Sequence, residues 1–109
     1  MEYRVEVSNL CLLQLKAIAD YVKDDLQAPE ASTKWLASME ETLGSLDQFP
    51  RRYPLVEQEP WRSFGYRRMK VGKHIAYYQI KETRKAVIVI AVIASKMDQR
   101  KALGKFNAK

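Results

Sequence analysis

The sixteen residues GYRRMKVGKHIAYYQI, Gly65–Ile80, decide how this chain folds. Alternation on either side of Gly72-Lys73 predicts two strands joined by a two-residue turn, with glycine at the position where φ must be positive. With that turn, Val71 opposes His74, Met69 opposes Ala76 and Arg67 opposes Tyr78, all on one face. Tyr66, Arg68 and Lys70 then share the opposite face with Ile75, Tyr77 and Gln79. The first face is mostly apolar and is expected inside; the second is basic and aromatic and is expected to be open. A slip of one residue would exchange the two faces.

Downstream, Ala86–Ala94 reads AVIVIAVIA with no polar alternation, which predicts a central strand covered on both faces. Upstream, Tyr3, Val5 and Val7 alternate with polar residues as a short strand, and Ser8 stands where a helix N-cap belongs. A helix follows, with Leu10, Leu13, Ala17 and Tyr21 as its apolar stripe, widened by Leu15, Ile18, Val22 and Leu26. Pro29, after a tight Gln27-Ala28 corner, suits the first turn of a second helix. That helix carries Leu36, Met39, Leu43 and Leu46, with Trp35 alongside. Phe49-Pro50 ends it, and Pro54 and Pro60 are expected to hold the next dozen residues extended. Strands are predicted over roughly 64–71 and 74–82, and a short helix over Asp98–Leu103 before Gly104. The expected fold class is α+β: β-α-α-β-β-β plus a short C-terminal helix, one domain over 1–109. A small, mainly antiparallel sheet would pack one face on an α-helical hairpin and leave the other open.

Hydrophobic residues make up 47% of the 109 residues, enough for a core without disulfides or a structural metal. Cys11 is the only cysteine; it fits a reducing compartment and a small core position rather than a reactive thiol. The opening MEYRVEV has no apolar stretch behind its charges, and AVIVIAVIA is too short to cross a bilayer, which takes about 20 residues. No membrane partner is expected, and the cytoplasm is the expected location.

The net charge of +6 conceals an asymmetry. Residues 1–50 hold four Lys/Arg against nine Asp/Glu, a net of −5; residues 51–109 hold fifteen against four, a net of +11. A surface built from the second half would attract polyanions or an acidic peptide. The single histidine and the few carboxylates of that half show no metal-ligand spacing, so neither a metal nor a cofactor is expected.

Several segments, in order, resemble the RelE/ParE superfamily of toxins from bacterial type II toxin-antitoxin systems. They are YRVEVS, LKAIADYV, Pro29-Glu30-Ala31, LDQFP, GYRRMKVGKHIAYYQI and AVIVIAVI before a charged C-terminus. The resemblance implies a growth-arresting toxin held inactive by a cognate antitoxin. RelE-like members cut mRNA on the ribosome without metal, and ParE-like members poison DNA gyrase. RelE-like nucleases generally carry an arginine where this chain has Ile75, and Arg, His or Tyr beyond the last strand where it has Ala94-Ser95-Lys96-Met97. The LDQFP segment and the long hairpin look more like the ParE branch. A non-toxic nucleic-acid-binding module is the third alternative, and explains the charge but not the order of elements.

Metal-free RNA cleavage needs groups that deprotonate a 2′-hydroxyl, stabilise a phosphate anion and protonate a leaving oxygen. The catalytic candidates are Arg68, Lys70, His74 and Tyr77; those for holding nucleic acid or another target are Arg51, Arg52, Lys73, Lys96, Arg100 and Lys101. Tyr78 is expected in the core with its hydroxyl bonded at the rim. Arg67 is expected to pair with a helix carboxylate, and Trp61 to cap the core.

Overall fold

The computed structural model describes residues 2–104, so residue 1 and residues 105–109 of the expected domain lie outside the described part. Strands β1 (Arg4–Val7), β2 (Arg67–Val71), β3 (His74–Lys81) and β4 (Ala86–Ala94) form one sheet in the order β1-β4-β3-β2. The pairs β2/β3 and β3/β4 are antiparallel, and β1 adds to β4 in parallel. The hairpin has the expected register, with Val71 opposite His74 and Arg67 opposite Tyr78, and Gly72 at φ 59.

Helices α1 (Asn9–Asp20) and α2 (Pro29–Gly44) pack on one face, over Cys11, Leu15, Met39, Leu43, Met69, Ala76, Tyr78, Val87, Val89 and Val92. Ser8 caps α1 by accepting from the Cys11 amide at 3.0 Å, and Pro29 opens α2. α1 also closes an exposed sheet edge. β1 covers β4 only as far as Val89; beyond it, the Ser8 hydroxyl donates to the Ile90 carbonyl at 2.9 Å and the Val92 amide donates to Gln14 Oε1 at 2.8 Å. Ile90 is the extra residue of a bulge, since Tyr77 pairs with Ala91 while Tyr78 pairs with Val89.

Three expectations need correction. The stripe Leu10, Leu13, Ala17 and Tyr21 faces outward, and α1 instead buries Cys11, Leu15 and Ala19. Small residues at 11 and 19 let the helix approach the sheet closely, and a π-turn over Tyr21–Asp25 turns Tyr21 and Leu26 away. The loop after Pro50 is not extended. It folds back through short turns so that Val56 and Trp61 are buried, and β2 begins only at Arg67. Consequently the second sheet face is not open. Val56, Trp61, Tyr66, Ile75, Tyr77, Ala91, Ile93 and Leu103 form a second core on it, closed by that loop and by α3 (Gln99–Leu103).

Candidate functional site

The covered outer face separates the catalytic candidates. Arg68 and Lys70 project from β2, the edge strand of the sheet, and remain exposed. Lys70 donates back to the Gly72 carbonyl at 3.0 Å. Tyr77, in contrast, is 2% exposed, and its hydroxyl donates to Gln99 Oε1 at 2.8 Å. The Gln99 amide is itself held by the Ala94 and Met97 carbonyls, both at 2.8 Å. Burial raises the Tyr77 pKa, and the nearby Arg68 guanidinium only partly opposes it, so the phenol stays protonated and is a poor base. Arg68, Tyr77 and Gln99 line a small polar cleft of about 170 Å³ with Val56, Glu57 and Gln58.

His74 lies on the other side of the sheet. It is half-buried, with its ring 5.5 Å from that of Trp35 on α2, and burial lowers its pKa so that the neutral imidazole is favoured at pH 7. Lys73 and Lys96 flank it at the rim of a cleft of about 630 Å³, whose floor is Ala17, Ile18, Val22 and Ala94. The sequence placed His74 beside the turn on the face expected inside, but neither its Trp35 neighbour nor this cleft was foreseen. The signal lay in two apolar residues outside the buried stripe, Ile18 of α1 and Val22 of the π-turn that follows it.

The remaining cations occupy other places. Arg51 pairs with Glu82, which also accepts from the Tyr3 hydroxyl at 2.8 Å. Arg52 ties the turns after α2 together, donating to the Phe49 carbonyl at 3.2 Å and to the Ser45 hydroxyl at 3.1 Å, with its guanidinium 5.0 Å from the centre of the Tyr53 ring. Arg100 and Lys101 are exposed on α3. Arg67 has no carboxylate partner in the described residues, contrary to expectation, and donates instead to the Tyr53 carbonyl at 2.7 Å and the Arg51 carbonyl at 3.3 Å. Tyr78 is fully buried with its hydroxyl on the Pro50 carbonyl, and Trp61 is buried in the second core. Gln99 was not foreseen, and nothing in its sequence context marks it. Among the described residues no group of three or more His, Cys, Asp or Glu side chains could hold a metal ion, and no helix is long and apolar enough to cross a membrane.

The comparison with curated protein sequences returned no match. Solved structures resemble the fold closely. The chromosomal ParDE toxin-antitoxin system from P. aeruginosa matches with a TM-score of 0.71 at 18% identity, covering 87% of this chain and 98% of that one. The RelBE2 toxin-antitoxin complex from Mycobacterium tuberculosis matches with a TM-score of 0.62 at 19% identity, over 86% of this chain and 99% of that one. A mutant E. coli RelE toxin in the free state matches with 0.59 at 15% identity, over 94% and 93%. At these identities the likeness concerns the fold alone, but the model of the ParE toxin family, described as the toxin of the type II toxin-antitoxin system parDE, matches residues 5–99. The chain therefore belongs to the ParE toxin family of type II toxin-antitoxin systems, on the fold that ParE and RelE toxins share.

Proposed function

We propose that this toxin arrests growth by poisoning DNA gyrase rather than by cutting mRNA, and that a cognate antitoxin holds it in check. One observation carries the choice of target: the four candidates for RNA cleavage do not converge. Arg68 and Lys70 lie on an exposed edge strand, Tyr77 is buried with its hydroxyl committed to Gln99, and His74 sits on the opposite face beside Trp35. General acid-base chemistry at one phosphodiester needs donor and acceptor within hydrogen-bond reach of the same few atoms. The match to the ParE model points the same way. Cleavage of mRNA is kept as a second reading by one feature, the polar cleft that brings Arg68 beside the Tyr77 hydroxyl.

Induction without antitoxin separates the two. The expected result is arrested growth, a rising DNA-damage response and gyrase trapped on cleaved DNA, with messages intact by primer extension. Cuts within translated messages and no trapped gyrase would reverse the assignment.

A further inference from the structure

Phe49 is 74% exposed, and its backbone is left-handed at φ 49, ψ 52. A single exposed aromatic needs no explanation. A bulky side chain at positive φ does, because its Cβ crowds the backbone in that region and glycine or asparagine usually takes the position. Among the described non-glycine residues only Gln27, Phe49 and Lys85 have positive φ, and the other two are polar residues at turns. The conformation is also held from several sides. Arg52 donates to the Gln48 and Phe49 carbonyls, the Tyr78 hydroxyl to the Pro50 carbonyl, and Arg67 to those of Arg51 and Tyr53. Two arginines and a tyrosine thus fix a short loop whose tip is a phenyl ring in solvent. Strain that is retained and over-determined in this way is characteristic of a site where geometry serves function.

We propose that Phe49 is a preorganised anchor that inserts into an apolar, carboxylate-bordered socket on the protein this toxin acts on. The inference rests on the protein target proposed above. A rigidly presented aromatic loses little entropy on binding, which is why such residues dominate interface cores. Neighbouring cations choose protein over nucleic acid. Arg51 is paired with Glu82, and the Arg52 donors are taken by backbone carbonyls and Ser45, so the forks that would grip phosphates are already engaged. Glu82 offsets the charge of Arg51, but Arg52 meets no acid among the described residues, and its charge favours carboxylates around the socket.

The test compares Phe49→Ala and Phe49→Gly with the wild-type full chain. Phe49→Ala should melt within about 1 °C of wild type, since the ring is exposed. Phe49→Gly should melt about 3 °C higher, because glycine removes the left-handed strain at a smaller entropic cost. Both should need about 30-fold more toxin for half-maximal gyrase trapping and for growth arrest, the loss expected of an anchor residue. Unchanged potency in either variant, or a melting temperature that falls in both, would overturn the proposal. If wild-type toxin arrests growth without trapping gyrase, the gyrase assignment fails by itself; growth arrest lost in a glycine variant of raised stability would still sustain the anchor. A labelled DNA duplex supplies the remaining arm: equal affinity for wild type and Phe49→Ala is expected, and affinity that depends on Phe49 would replace the protein socket with base stacking.

Discussion

Tyr78 and His74 show what single residues in the hairpin contribute. Tyr78 is fully buried, and burial pushes its phenol up to about 12 against the opposing pull of Arg67 and Arg52, so it acts only as a hydrogen-bond donor. Tyr78→Phe should lower stability by about 1–3 kcal/mol, because the Pro50 carbonyl loses a buried partner. Arg68→Ala or Lys70→Ala, at exposed positions, should each change it by under about 0.5 kcal/mol; chemical denaturation of the three variants makes the comparison. His74 gives a pH dependence with a definite sign. Its folded pKa is lowered below the ordinary 6.5 by burial, so between those values the unfolded chain binds more protons and stability rises with pH. That contribution is complete above about 6.5 and is lost as pH falls toward the folded value. It is the chain's one histidine, so no other imidazole titrates in this window. The melting temperature should therefore drop between pH 7.5 and 5.5, and His74→Gln should flatten the drop. The inward direction of Tyr78 followed from turn chemistry and alternation alone. The Trp35 neighbour of His74 did not, because packing between a helix and a strand far apart in sequence has no local signature.

At the scale of elements, each of the four strands was legible, since period-two patterns and one unbroken apolar run have few alternative interpretations. α1 was legible as a helix but not in its rotation. Leu10-Leu13-Ala17-Tyr21 and Cys11-Leu15-Ala19 are both apolar stripes, and only the close approach allowed by Cys11 and Ala19 decides between them. The outer layer was the largest miss. A proline-bearing loop and a five-residue helix carry too little periodicity to announce that they cover a sheet face, yet they bury Trp61 and Leu103 there. The basic residues expected on that open face, Arg68 and Lys70, stay exposed because they sit on the edge strand β2. Leu103→Ala tests this cover. It should cost about 2–5 kcal/mol, as for other large-to-small core changes, and increase hydrogen exchange in α3 and the 55–65 loop more than in α2. A loss under about 0.5 kcal/mol would mean that α3 contributes little to the second core.

Across the whole molecule, the division into an acidic first half and a basic second half is carried into space only in part. One salt link and one hydrogen bond cross it: Glu6 of β1 accepts from Arg84 at 2.7 Å, and Glu82 accepts from the Tyr3 hydroxyl at 2.8 Å. Half-sequence charge counts cannot foresee such crossings, because they depend on which strand neighbours which. The same topology governs when the protein can exist at all. Among the described residues β1 has β4 as its one strand partner, so Arg4 must wait for Ala86, and β3 has β4 as one of its two neighbours. A chain emerging from the ribosome therefore exposes both helices and the hairpin before the strand that unites them has been made. Nascent chains that stop short of Ala94 lack the centre of both cores, so the domain is assembled only after β4 has been made. Each newly made molecule thus passes through an interval in which neither core has formed and the toxin's fold does not yet exist.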